Sequence, residues 1–220
     1  MKIKFLLTLA FILLSVSANS IAEPDEVDTT KRGWAPFQFS IWSPIQLVGN
    51  DKDITGMRLS LLYGKNADVS GIDLGLLATS SNKVNGIQIA GFGNWAASDV
   101  KGIQIGGIGN EAGFLTGIQI SAYVNVALHD ATGIQIAPIN EVKGTLNGIQ
   151  IGALNSFLAP EGGGNVSGVQ IGLFNFAGTV TGLQIGLANF CVNLKGVQIG
   201  IFNYAEKGRF KYMPLINAQF

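Results

Sequence analysis

Along most of the chain, aliphatic and polar positions alternate in one short phrase, glycine–aliphatic–glutamine–aliphatic–glycine. Clear copies start at Gly86, Gly102, Gly117, Gly133, Gly148, Gly168, Gly182 and Gly196, and two looser ones at Gly56 and Gly71. Successive starts lie 15, 15, 16, 15, 16, 15, 20, 14 and 14 residues apart. Alternation with period two is a strand signal, and no stretch of the repeat carries a helical face. Self-similarity at a fixed period means that each copy is one structural unit stacked on its neighbours.

Aligned on the first glycine, the copies share further columns. Two residues earlier stands an aliphatic side chain, from Ile54 and Val69 to Val180 and Leu194, with Ala131 the smallest. One residue earlier the side chain is polar, as in Thr55, Asn85, Lys101 and Thr181. Three earlier a turn former is common: Asp53, Asp68, Asp99, Asp130, Asn165, Asn193. Seven or eight residues after the glycine comes an asparagine (Asn94, Asn110, Asn125, Asn140, Asn155, Asn175, Asn189, Asn203), and small residues such as Ala177 and Cys191 follow two later. Asparagine and glycine stand where a backbone turns with positive φ. Each repeat is therefore one strand plus a turn, or two short strands and two corners.

The fold class is all-β, and the pattern predicts a repeat β-solenoid of about ten coils of 14–16 residues with end caps. In the coil after Asn175, the expected inward set is Ala177, Val180, Leu183, Ile185 and Leu187. Gln184 is expected to point outward in a glutamine ladder, with Asn175 and Asn189 in an asparagine ladder at a corner, as stacked amides satisfy one another along an axis. A turn near Gly182 is required, because Val180 and Leu183 have opposite parity. The alternative is a twelve-stranded antiparallel β-barrel, ten copies plus two caps, with Ile and Leu toward lipid and Gly and Gln toward the lumen. Its features include the terminal Phe220. Three features favour the coil: the apolar band per strand is short, only one connection is long, and the aliphatic before the glycine would face a polar lumen.

The ends differ from the repeat. Phe37 to Val48 reads as an N-terminal cap interrupted by Pro44, and Phe210 to Phe220 as a C-terminal cap with Pro214 in its strand and Asn217 in the asparagine position. Proline cannot donate to a ladder, so it suits an edge. Pro138 must sit at a bend. The glycine-rich segment Pro160 to Gly164 lengthens one interval and reads as a surface loop.

The first residues change the picture of compartment. Lys2 and Lys4, an apolar run from Phe5 to Val16, and small residues at Ser20 and Ala22 describe a secretory signal peptide over 1–22. The run is too short for a comfortable membrane-spanning helix. Residues 23–36 are charged and aperiodic and read as a flexible leader, leaving 37–220 as the β-repeat domain. The chain is expected to be exported, to the periplasm, cell surface or outer membrane. Removing residues 1–22 with their two lysines leaves 12 basic against 14 acidic residues. No clustered basic face points to nucleic acid.

Candidate chemistry is sparse. His129, the only histidine, lies beside Asp130 in a turn, and no strained nucleophile accompanies them. Zinc needs several His or Cys ligands at set spacing, and the turn aspartates Asp53, Asp68, Asp99 and Asp130 are explained by turn chemistry without calcium. Arg58 and Asp73 replace glutamine in adjacent copies and are expected to form a lateral ion pair. Cys191, the single cysteine, replaces alanine and reads as a small buried thiol. Neither glycine-rich segment precedes a helix, so no phosphate loop is indicated. No catalytic residue, cofactor or metal site is expected. Trp95, Phe174, Phe176, Phe190, Phe202 and Tyr204 form a candidate interaction strip beside the asparagine ladder, suited to a glycan or a partner protein.

The repeated phrase, the early copies GMRLSLLYGKN and GIDLG, and the ending MPLIN resemble poorly characterised exported bacterial surface-repeat proteins over most of 37–220. The resemblance implies a cell-surface or envelope location and brings no catalytic residues. The pentapeptide-repeat coil is a different case, since the period here is 14–16. The expected function is a non-enzymatic exported repeat protein presenting a rigid β surface for envelope structure or interaction, its partner an unidentified protein or glycan at the cell surface. The alternative is a small outer-membrane barrel, with membrane association.

Overall fold

The computed structural model describes residues 32–156 and 164–220. The expected signal peptide, most of the expected leader and all but Gly164 of the glycine-rich segment lie outside them. Among the described residues there is no helix, and seventeen strands hydrogen-bond into one continuous sheet. Each coil contributes a glycine strand, such as Ala131–Ile136, and an asparagine strand, such as Ile139–Val142. Between these two, Pro138 sits at a bend.

Ten parallel pairings join the cap strand Trp34–Trp42 and ten glycine strands, the last of them Ala188–Ala205. Like residues stack on like: Gly133 pairs with both Gly117 and Gly148, and Gln135 with Gln119 and Gln150. Register stays unbroken across the long interval, where Gly148 pairs with Gly168. The fold is a β-solenoid of about eleven turns. Parallel, in-register stacking rules out the antiparallel barrel, whose neighbouring strands must alternate in direction.

A corner at each leading glycine makes the coil possible. Gly117 has φ +143°, and its nine counterparts have φ between +130° and +159°. A Cβ built on Gly117 would lie 1.9 Å from the carbonyl oxygen of Gly102 in the preceding coil. Both backbone conformation and stacking distance therefore demand glycine.

The corner also sets which side chains turn inward, and here the structure reverses part of the expectation. Ala177, Val180 and Cys191 are buried as expected. Gln184 is fully buried rather than outward, while Ile185 and Leu187 are exposed at 36% and 48% and Leu183 is half-buried. The same holds along the repeat: glutamines from Gln88 to Gln198 are at most 1% exposed. The core is thus two apolar columns, the aliphatic before the glycine and the small residue after asparagine, together with two amide columns.

Burying an amide without partners costs about 1–3 kcal/mol, and this core supplies the partners. Gln119 Nε2 donates to Gln104 Oε1 at 2.8 Å and to the Val126 carbonyl at 3.3 Å, and its Oε1 accepts from Gln135 at 2.8 Å. Asn125 Nδ2 donates to Asn140 Oδ1 at 3.1 Å and to the Ile136 carbonyl of the next coil at 3.0 Å. Both hydrogens of these two amides are used, and the ladder lets a narrow coil close without the bulk that two aliphatic columns would bring. The second glycine of the phrase follows from the same packing: a Cβ on Gly186 would meet Asn175 Nδ2 at 2.7 Å.

The ends are capped. In the first strand Gln38 pairs with Arg58 and occupies the glutamine column. The chain then folds back through Ile45–Gln46, and the Gln38 amide exchanges hydrogen bonds with Val48 at 2.8 and 2.9 Å. The final strand, Tyr212–Gln219, carries Pro214 and runs antiparallel to its neighbour. Asn217 there faces Gln198 and donates to its Oε1 at 3.3 Å, so it ends the glutamine ladder rather than the asparagine ladder. Reversed strand direction moves the column it meets. The ordered strand at the N-terminal end starts at Trp34, inside the segment read as leader.

Candidate interaction surface

Because glutamine points in, both aliphatics of the phrase point out. Two columns result. One runs from Met57 through Ile118 to Val197, the other from Leu59 through Ile120 to Ile199, with paired neighbours at every rung. No rung carries a polar side chain in either column. Ile89, Ile105, Ile120, Ile136, Ile151, Ile171, Ile185 and Ile199 are each 36–41% exposed, because neighbours above and below cover the sides of every isoleucine and leave its end bare. The array continues into Phe37 and Phe39 at one end and Ile216 and Ala218 at the other. The row before the glycine is polar and exposed, and forms one border. Along the opposite border Leu76, Phe92, Tyr123, Leu173, Phe174 and Phe202 are exposed apolar residues at the turn.

A signal for this orientation was present in the chain. The exposed row before the glycine drifts freely among Thr, Ser, Asn and Lys. The glutamine column admits only Arg58 and Asp73, an adjacent and charge-complementary pair. Such restriction marks an interior column, since an exposed glutamine is replaced without consequence.

Four of the six strip residues come together near the C-terminal end. Phe176 and Phe190 stack with ring centroids 4.9 Å apart and an 8° interplanar angle, and Phe202 and Tyr204 lie 5.7 and 6.5 Å from Phe190. Tyr212 of the final strand joins them, 5.0 Å from Tyr204. Phe174 occupies the residue before asparagine, one coil below Ala188. Trp95 stands apart. It shares the column after asparagine, but Glu111, Val126, Glu141 and Ser156 fill the coils between it and Phe176, and it stacks instead near Phe92 at 6.5 Å.

The chemistry-bearing residues serve the scaffold. Arg58 and Asp73 form the expected lateral pair, fully buried, with Nε to Oδ1 at 2.7 Å. Arg58 also donates to the Ser80 carbonyl and to Ser81 Oγ, both at 3.0 Å. The turn carboxylates accept backbone N–H groups one coil further on: Asp53 from Asp68, Asp68 from Lys83, and Asp130 from Thr145 at 2.7 Å. Asp99 instead lies 4.0 Å from the Lys83 ammonium. His129 is exposed and stacks on Phe114, centroids 4.5 Å apart. Burial pushes the Cys191 thiol up to about 12. Among the described residues no three His, Cys, Asp or Glu side chains converge as a metal site would require. A shallow hollow of about 330 Å³ near the C-terminal end is lined by Thr179, Asn193, Leu194, Lys195, Lys207 and Gln219.

Comparison of the chain with protein-family models, with curated proteins and with solved structures found no match.

Proposed function

We propose that this chain is a non-enzymatic, exported repeat protein whose solenoid presents a rigid apolar face for assembly in the cell envelope. The carrying observation is the outward array of aliphatics, uninterrupted by any polar side chain from Met57 to Ile199. Monomeric soluble proteins seldom expose contiguous apolar patches beyond a few hundred Å² unless the patch is covered in use. The amide ladders beneath hold the array rigid. Export is supported by the basic, apolar and small-residue order of residues 1–22. A scaffold role is supported by Arg58, Asp73 and the turn aspartates, whose charged groups are engaged within the coil stack.

Fractionation of cells producing the full chain tests this. The expected result is a chain shortened by the mass of residues 1–22 and recovered with the envelope. Full-length chain in the cytoplasm overturns the export reading. Release of the Ile105→Lys/Ile136→Lys variant from the envelope, with its β-type circular dichroism unchanged, is expected if the face mediates assembly.

A further inference from the structure

We propose that the aliphatic face pairs with the same face of a second copy of this chain, giving a two-solenoid sandwich. This rests on the reading of the array as an assembly face and names what covers it.

Size is the first argument. Ten rungs spaced about 4.8 Å apart, carrying two columns that each occupy about 7 Å along the strand, make a plane on the order of 650 Å². Two such planes bury roughly 1,300 Å², inside the 1,200–2,000 Å² range of stable specific interfaces. The exposed border residues at the turn add to it.

Shape is the second. Each rung sits in register on the last, so the two columns are straight ridges with a furrow between them. A second copy presents the same ridges at the same spacing. Face-to-face sheets pack about 10 Å apart with interdigitated side chains, and identical ladders meeting in this way form a dry zipper. An isologous interface needs only a surface complementary to itself.

Charge is the third, and it separates a second copy from a lipid surface. Surfaces that lie in the membrane interface carry Lys and Arg along the polar border of the apolar face. Here the polar border over ten rungs has two cations, Lys101 and Lys195, among Thr, Ser and Asn. A border with two charges in ten rungs brings little repulsion between copies and supplies little attraction to anionic lipid.

Sedimentation equilibrium of the purified chain is the test, with Ile105→Lys/Ile136→Lys as the disrupting variant. These two positions flank Ile120 in the exposed column, so the charges stand in solvent in the free chain and inside the interface in the pair. The expected result is a dimer at micromolar concentration or below. In the variant the dissociation constant rises about 100-fold or more, since each lysine would be buried unpaired, while circular dichroism stays unchanged and melting matches the parent's once both are diluted below its dissociation constant. A variant carrying Ile120→Cys is expected to be joined as a dimer by a short bis-maleimide linker, because the middle rungs of the two copies lie near one another and buried Cys191 stays unreactive.

A monomer at about 100 µM, well above the dissociation constants of stable interfaces of this size, overturns the proposal. So does a dimer unaffected by the lysines, or a monomer that binds phosphatidylcholine–phosphatidylglycerol vesicles. Failure of self-pairing with the chain still in the envelope fraction removes this inference alone. Cytoplasmic, unprocessed chain removes the export reading and leaves the dimer result standing.

Discussion

Gln88 Nε2 donates to Asp73 Oδ2 at 2.9 Å, and this contact terminates a line of buried amides that starts at Asn217. Every glutamine in the line donates toward the N-terminal end, as Gln198 does to Gln184 and Gln104 to Gln88, each at 2.8 Å. The asparagine ladder runs the other way: Asn94 donates to Asn110 at 2.7 Å and Asn189 to Asn203 at 2.8 Å. Hydrogen bonds in series polarise one another and accumulate a dipole. Opposed ladders side by side offset it. The last glutamine donates into a carboxylate, and Arg58 neutralises that carboxylate from the other side.

The Arg58–Asp73 pair replaces two glutamines of a ladder that needs none of its charge. Removing one partner by Arg58→Ala strands a buried carboxylate and is expected to cost about 3–5 kcal/mol. The double change Arg58→Gln/Asp73→Gln restores the ladder residue in both coils and is expected to fall within about 1 kcal/mol of the parent. Urea unfolding of the three proteins checks this. A double variant as damaged as the single one would show that the pair is needed for itself.

Gly117→Ala is expected to destabilise by more than about 3 kcal/mol, because it adds a strained φ to a collision with backbone. Its Cβ would fall 1.9 Å from the Gly102 carbonyl, an atom held by the ladder on both sides. Thermal melting followed by circular dichroism measures the loss. A stability equal to the parent would contradict the corner geometry.

Cys191 is neutral in the folded chain, with its thiol raised by burial from 9.0 to about 12. The unfolded thiol ionises first, so stability from this group is intact below pH 9 and is lost as pH rises toward 12. Cys191→Ala places the residue found in this column at Ala177 and Ala205, and is expected to change stability at pH 7 by about 1 kcal/mol or less. It should also remove the parent's extra loss of stability between pH 9 and 11, a window set by the thiol shift. Parallel pH curves for the two proteins would contradict the burial.

The periodic features were legible in the chain because stacking imposes them on every copy. Gly117, Asn125 and Val180 each recur at a fixed place, and each has the role their spacing implied: corner, ladder and core. Arg58 and Asp73 were paired by adjacency alone. What hydropathy misplaced was the side of the strand. Ile185 is more apolar than Gln184, and a pattern rule sends it inward. A coil only 14–16 residues around lets each glutamine find its partners on the coils above and below, so the burial cost is met along the axis. That satisfaction is a property of the stack, invisible in one copy. Asn217 was misplaced for a related reason: the last strand reverses direction, and a motif aligned by sequence then faces a different column.

The inside-out arrangement is the central claim, and Gln119 and Ile120 test it as neighbours on one strand. Each is to be changed to alanine in the Ile105→Lys/Ile136→Lys background, where pairing of faces makes no contribution, and unfolded in urea. Gln119→Ala removes the bonds to Gln104 and Val126, leaves the Gln135 amide short of its acceptor, and opens a cavity. Its expected cost is about 3 kcal/mol or more. Ile120 is already 37% exposed, and Ile120→Ala is expected to cost about 1 kcal/mol. Equal losses, or a larger loss at Ile120, would contradict the account.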